Sequence, residues 1–220
     1  MRYGFFFGLE GDRTALSSVL ERLAGCDRIV SLGNLVGGGA KGDLTCWTAF
    51  AQLGPRALAL GGSGERRLAQ APWIPPALRR ELRALEPAAL EGGVAILGGG
   101  VAAQPRAARE RVALGGAPRL VAPITVAAHQ GETRLWRAAG GDLARSVEVE
   151  AGMEIPLGDE LLRLELGRSC DGQPICAVVD LGARRLELHP VTRVAAAPRE
   201  RRRPRPSTRR VDERQCLLAV

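Results

Sequence analysis

Four glycine-rich turns, each directly after a predicted strand, are the places in this sequence where binding chemistry is most expected. They are residues 8–12, 33–37, 61–65 and 98–100. Ligands of open α/β sheets bind at the carboxyl ends of strands, where loops of this kind meet. Glycine also permits the positive φ angles of tight turns, so any one turn is also consistent with a simple strand-to-helix connection. The order and spacing of the four turns are therefore more informative than any single turn.

Two well-known phosphate-binding motifs are not supported by the residues. Residues 37–42 match the glycine pattern of dinucleotide-binding loops. No acidic residue follows about 20 positions later to hold a ribose, so a dinucleotide site is not expected. Lys41 is followed by Gly42 rather than by Ser or Thr, which excludes a P-loop.

The elements that position these turns alternate between strands and helices. Apolar runs predict strands at residues 3–8, 28–32, 56–60, 93–97 and 120–126. Periodic apolar faces predict helices at residues 12–24, near 43–53, from Pro75–Pro76 onward and at 105–114. The expected buried face of the first consists of Leu16, Val19, Leu20 and Leu23. Asp12 is the expected N-cap of the first helix. This alternation indicates an α/β sandwich.

After His129 the pattern predicts strands only. The short apolar runs lie at residues 133–137, 160–166, 175–181 and 185–189, and Gly, Asp and Pro separate them. The sequence thus predicts a β/α first half followed by antiparallel β structure in the last third.

The formal net charge of +7 is concentrated near the C-terminus. Nine arginines and three acidic residues lie between Arg193 and Arg214, so this segment carries most of the net charge. We expect one domain over residues 1–194 and a disordered Arg/Pro-rich tail over residues 195–220. The tail has two interpretations, a solvated C-terminus or a segment that binds nucleic acid or an acidic partner.

The cysteines and histidines argue against a zinc site. Five cysteines form no CxxC pair, and His129 and His189 are not at ligand spacing to a cysteine pair. We expect reduced thiols in a cytoplasmic protein, with Cys26 and Cys46 as core residues. The apolar runs are too short for a membrane span, and the N-terminus does not match a signal peptide, so no membrane association is expected.

Taken in order, the turns resemble the motifs of the calcineurin-like metallophosphoesterases, especially their small bacterial single-domain members. Residues 31–37, Ser-Leu-Gly-Asn-Leu-Val-Gly, match closely the Gly-Asp-Leu-Val-Gly motif after the family's second strand. Residues 7–12, 60–64, 97–99, 128–131 and 169–174 stand where the family's other motifs belong. The resemblance covers roughly residues 1–190. It implies a four-layer α/β/β/α sandwich with two mixed β-sheets.

The departures from the family fall on the positions that do its chemistry. Family members hold two divalent cations that activate water and stabilise the phosphoryl transition state. The family's metal and leaving-group positions correspond to Gly8, Glu10, Asn34, Gly62, Ser63, Gly98, His129 and Gly131. Glycine has no side-chain donor. Asn34 is neutral where the family has a bridging carboxylate, which leaves Glu10 and His129 as the strong ligands.

The resemblance and its departures together favour a non-catalytic binding or regulatory scaffold, with no catalytic residue and no required cofactor. A single weakly bound divalent cation at Glu10 and His129 is the most that we expect. The implied partner is a protein or a small anion in the glycine-lined groove. Two alternatives stay open. One is a metal-dependent phosphoesterase with residual activity through Glu10 and His129, and the other is a nucleic-acid-associated protein acting through its basic tail.

Overall fold

The computed structural model describes residues 1–37, 41–99, 123–129, 132–138, 145–167 and 175–192. These residues form four α-helices, which are α1 (Arg13–Arg22), α2 (Lys41–Ala51), α3 (Ser63–Gln70) and α4 (Pro76–Arg83). The first six strands are β1 (Arg2–Phe6), β2 (Arg28–Ser31), β3 (Ala57–Ala59), β4 (Ala88–Glu91), β5 (Val94–Leu97) and β6 (Ile124–Ala128). The others are β7 (Arg134–Ala138), β8 (Arg145–Val147), β9 (Glu154–Pro156), β10 (Leu161–Leu166), β11 (Ile175–Asp180) and β12 (Arg185–Pro190).

The strands build two six-stranded mixed sheets. The first has the order β3-β2-β1-β11-β12-β9, and the second has the order β4-β5-β6-β10-β7-β8. Strands β1, β2 and β3 run parallel, and β11 joins them antiparallel. In the second sheet β5, β6 and β10 run parallel. The α/β fold with two mixed sheets is therefore confirmed.

Alternating side chains of β1 explain how the layers pack. Tyr3 and Phe5 point into the apolar core between the two sheets. Phe6 points the other way, into the core between the first sheet and the helices. Gly4 lies on the helix side, where an added Cβ would come within 2.8 Å of the Leu23 side chain. The first sheet thus lies between the helices and the second sheet, with one apolar core on each of its faces.

Helices α1 and α4 begin where the sequence predicts. The Asp12 carboxylate accepts a hydrogen bond from the Ala15 N–H at 2.9 Å, which caps α1 as expected. Leu16, Val19 and Leu23 are buried and Leu20 is partly buried, so the predicted apolar face is the face that packs. Pro76 is the first residue of α4, a position where proline sacrifices no helical hydrogen bond.

Three predictions need correction. Residues 63–70 form helix α3, whereas the sequence predicted only a glycine turn there. The short strands β4, β8 and β9 were not predicted. The last third is not purely antiparallel, because β10 pairs in parallel with β6. The helix predicted at 105–114, the segment 169–174 and the tail 195–220 lie outside the described residues.

No helix within the described ranges is both long enough and apolar enough to cross a membrane.

Candidate functional site

The loops that follow β1, β2, β3, β5 and β6 meet at one edge of the molecule. The Glu10 N–H donates to the Asn34 carbonyl at 2.9 Å, which joins the loop after β1 to the loop after β2. The Gly99 N–H donates to the Leu32 carbonyl at 2.7 Å, which brings the loop after β5 to the same edge. His129 follows β6, the parallel neighbour of β5. The structure therefore assembles the strand ends that the sequence predicted as a site.

Asn34 uses its side chain to connect two of these loops. Its φ angle is +53°, in the left-handed region. Its Oδ1 accepts hydrogen bonds from the Gly64 N–H at 3.0 Å and from the Ser63 hydroxyl at 3.1 Å. Gly62, the N-cap residue of α3, has no side chain with which to cap the helix. Asn34 supplies that capping oxygen from the neighbouring loop.

Glu65 makes the reciprocal connection from α3 back to the loop after β2. Its side chain is buried, and Oε2 accepts hydrogen bonds from the Asn34 and Gly62 N–H groups, both at 2.9 Å. Oε1 accepts a longer hydrogen bond from the Val36 N–H at 3.4 Å. Burial raises the pKa of the Glu65 carboxyl, and the backbone hydrogen bonds oppose that rise. We call Asn34 and Glu65 together the loop clamp.

The glycines at two family ligand positions are packed too closely to accept a ligand side chain. A Cβ at Gly62 would lie 2.6 Å from the Asn34 backbone nitrogen and 2.7 Å from its Oδ1. A Cβ at Gly98 would lie 2.8 Å from the Leu60 Cβ and 3.1 Å from the Pro87 carbonyl oxygen. A larger side chain at either position would therefore overlap its neighbours.

Glu10 and His129, the two strong candidate ligands, are both half-buried at this edge. Glu10 has a φ angle of +54°. The His129 N–H donates to the Leu166 carbonyl at 2.8 Å, which ties it to the end of β10. Gly8 has a φ angle of +71°, typical of a glycine in a tight turn. Gly131 lies outside the described residues.

These residues do not fit a centre for two divalent cations. Within the described ranges, no group of three or more His, Cys, Asp or Glu side chains is arranged to hold a metal ion. The Asn34 oxygen already accepts two hydrogen bonds, and Gly62 and Gly98 have neither a donor atom nor room for one. A bridged pair of cations needs carboxylate charge between the ions, and no carboxylate occupies the bridging position.

Two acidic residues at this edge were not predicted from the sequence. One is Glu65. The other is Asp43 in the first turn of α2, which is 2% exposed and accepts a hydrogen bond from the Gly37 N–H at 2.7 Å. An acidic residue in a first helical turn favours bonds to backbone N–H groups, and that signal was present in both segments. Which backbone N–H groups bind Glu65 and Asp43 is set by the tertiary structure, because those of Asn34 and Gly37 lie in another loop.

The described cysteines do not supply a nucleophile. Cys26, Cys46 and Cys176 are buried and free, which confirms the prediction that Cys26 and Cys46 are core residues. Burial, with a smaller contribution from Asp43, raises the pKa of Cys46 to about 11. Burial also raises the pKa of Cys176 to about 12. The reactive thiolate form is therefore disfavoured at neutral pH.

Solved structures identify the fold. A metallophosphoesterase from Sphaerobacter thermophilus is 16% identical, with a TM-score of 0.61 over 88% of this chain and 90% of that chain. A candidate diadenosine tetraphosphatase is 17% identical, with a TM-score of 0.53 over 87% of this chain and 94% of that chain. No protein-family model matches the sequence, and no curated protein does. The chain has the metallophosphoesterase fold, as the motif resemblance implied.

Proposed function

We propose that this protein is a non-catalytic binding or regulatory member of the metallophosphoesterase fold. The loop clamp is the observation that carries the proposal. Asn34 stands at the family's bridging position, and its side-chain oxygen is used to cap α3. Glu65 holds the same loops from the other side. Hydrogen bonds of Asn34 and Glu65 thus join the loops at the place where the motif resemblance implies metal ions.

The chemistry of the fold supports the same conclusion. Phosphoester hydrolysis on this fold depends on metal ions to generate the nucleophile and to stabilise charge in the transition state. Gly62 and Gly98 cannot acquire ligand side chains without displacing Asn34 or Leu60. Glu10 and His129 remain as two ligands for at most one weakly bound cation. The alternative is residual metal-dependent hydrolysis through Glu10 and His129, which an activity assay detects.

The purified full chain should show no phosphatase or phosphodiesterase turnover above buffer when Mn²⁺, Ni²⁺ or Mg²⁺ is added. The measurement combines metal analysis of the protein with release of 4-nitrophenol from mono- and diester substrates. Glu10→Ala and His129→Ala are the matched variants, and both should behave as the wild type does. Metal-dependent turnover that copurifies with the chain and disappears in either variant would overturn the proposal.

Asn34→Asp alone should not create a metal site. The aspartate would still accept hydrogen bonds from Gly64 and Ser63, and its carboxylate would lie beside the buried carboxylate of Glu65. Two neighbouring carboxylates disfavour each other's ionised form, which is the form that a metal needs. Titration calorimetry with Mn²⁺ should give a Kd weaker than about 1 mM for the variant and the wild type alike. Stoichiometric uptake by the variant would show that the other ligands are still in place.

A further inference from the structure

A cavity of about 450 Å³ lies where α3 and α4 meet, apart from the loop clamp. Its apolar wall includes Ala69, Leu82 and Leu85, and both Ala69 and Leu82 are 2% exposed. Its polar wall consists of Arg66, Gln70 and Arg83, whose side chains are exposed. Cavities of about 300–1,000 Å³ with an apolar lining and a few polar groups are typical of small-molecule sites.

The positive charge of this cavity is not balanced within its own wall. None of the described lining residues is acidic. The ion pairs of the described ranges use six other arginines, Arg2, Arg28, Arg137, Arg163, Arg184 and Arg185. The guanidinium groups of Arg66 and Arg83 therefore keep their charge and their N–H donors for a ligand. Guanidinium groups bind the oxygens of phosphate, phosphonate and carboxylate groups in a bidentate manner.

A second cavity, of about 390 Å³, shows the contrasting case. It also contains two arginines, Arg137 and Arg184. There, Arg184 pairs with Asp159 at 2.6 Å, and Arg137 lies 3.9 Å from Glu160. Both carboxylates belong to the same wall, so that cavity offers an anion little net attraction. Of these two cavities, only the one between α3 and α4 combines an apolar floor with unbalanced positive charge.

We propose that the α3–α4 cavity binds a small organic anion that carries one oxyanion group on an apolar body. Arg66 on α3 and Arg83 on α4 hold the oxyanion, and the apolar body packs against Ala69 and Leu82. Apart from Gly61, the lining residues lie outside the strand-end turns, so the proposal extends the binding role to a new place on the molecule. The proposal holds whether or not the strand-end site is catalytic.

Phenylphosphonate is the probe of choice because its carbon–phosphorus bond is not a phosphoester. Binding is measured by titration calorimetry on the full chain in the presence of EDTA, which removes metal-mediated binding at other sites. The double variant Arg66→Gln/Arg83→Gln should bind at least about tenfold more weakly, because charge-assisted hydrogen bonds are lost. Arg80→Gln, an exposed arginine of α4 outside the cavity, should bind as the wild type does.

Two further ligands test whether the cavity needs both a charged group and an apolar body. Inorganic phosphate should bind more weakly than phenylphosphonate, and benzyl alcohol should not bind, because the site needs charge and apolar surface together. Amide resonances of Gly61, Ala69 and Gln70 should shift on titration with phenylphosphonate. The proposal is overturned if the wild type does not bind the probe at millimolar concentration, or if the double variant binds it equally well. Turnover in the separate hydrolysis assay would contradict the proposed function and leave this result unaffected.

Discussion

Gly64→Ala should destabilise the protein by about 3 kcal/mol, although alanine is normally the better helix residue. Gly64 lies in the first turn of α3, where an added Cβ would overlap the Val36 carbonyl oxygen. That oxygen belongs to the loop after β2, so the clash would push apart the two loops that the loop clamp joins. Urea denaturation of the variant and the wild type measures the difference in the free energy of unfolding.

Gly42→Ala is the matched control for this substitution. Gly42 lies in α2, and a Cβ added there would meet nothing within 4 Å. The variant should gain about 0.5–1 kcal/mol, because alanine reduces the freedom of the unfolded chain. Equal stability of Gly64→Ala and Gly42→Ala would mean that α3 does not approach Val36 as closely as described.

Glu65→Ala should cost roughly 3 kcal/mol or more, because three backbone N–H groups would lose a common acceptor in a buried place. These are the N–H groups of Asn34, Val36 and Gly62. Hydrogen exchange at the same three amides should become faster than in the wild type. Glu65→Gln keeps one oxygen for the two shorter bonds and should recover part of the loss.

Glu81→Ala serves as the control for the loss of a carboxylate. Glu81 lies in α4 with its side chain exposed, so its removal should change stability by less than about 0.5 kcal/mol. If Glu65→Ala were as stable as Glu81→Ala, the hydrogen bonds of Glu65 would not hold the loops together. The proposal of a clamp in place of a metal centre would then lose its main support.

The loop clamp also explains why the residue types of Asn34 and Gly62 depend on each other. Asn34 caps α3 because Gly62 has no side chain, and Gly62 must stay small because Asn34 approaches it closely. A larger side chain at Gly62 would therefore displace Asn34. A change at a single position is not expected to recover a metal site, which agrees with the result predicted for Asn34→Asp.

Local patterns in the sequence determined much of the fold. Asp12 predicted the start of α1, and Leu16, Val19 and Leu23 predicted its buried face, because caps and helical periodicity act within a few residues. The three strands that were missed, β4, β8 and β9, are all edge strands. Strands β8 and β9 have only three residues each, and β4 reads Ala-Ala-Leu-Glu, in which alanine and glutamate are uncommon in strands, so no strand pattern marks them.

The sequence by itself also predicted which strand ends carry the candidate site, because glycine turns after strands show where loops meet, and the motif resemblance assigned Asn34, Gly62 and His129 to family positions. Only the tertiary structure decided what those positions do. Asn34 is separated from Gly64 by 30 residues and from Glu65 by 31, so no local signal could pair them. Hydrogen-bond partners across loops, and the space beside a glycine, depend on which segments the two sheets bring together.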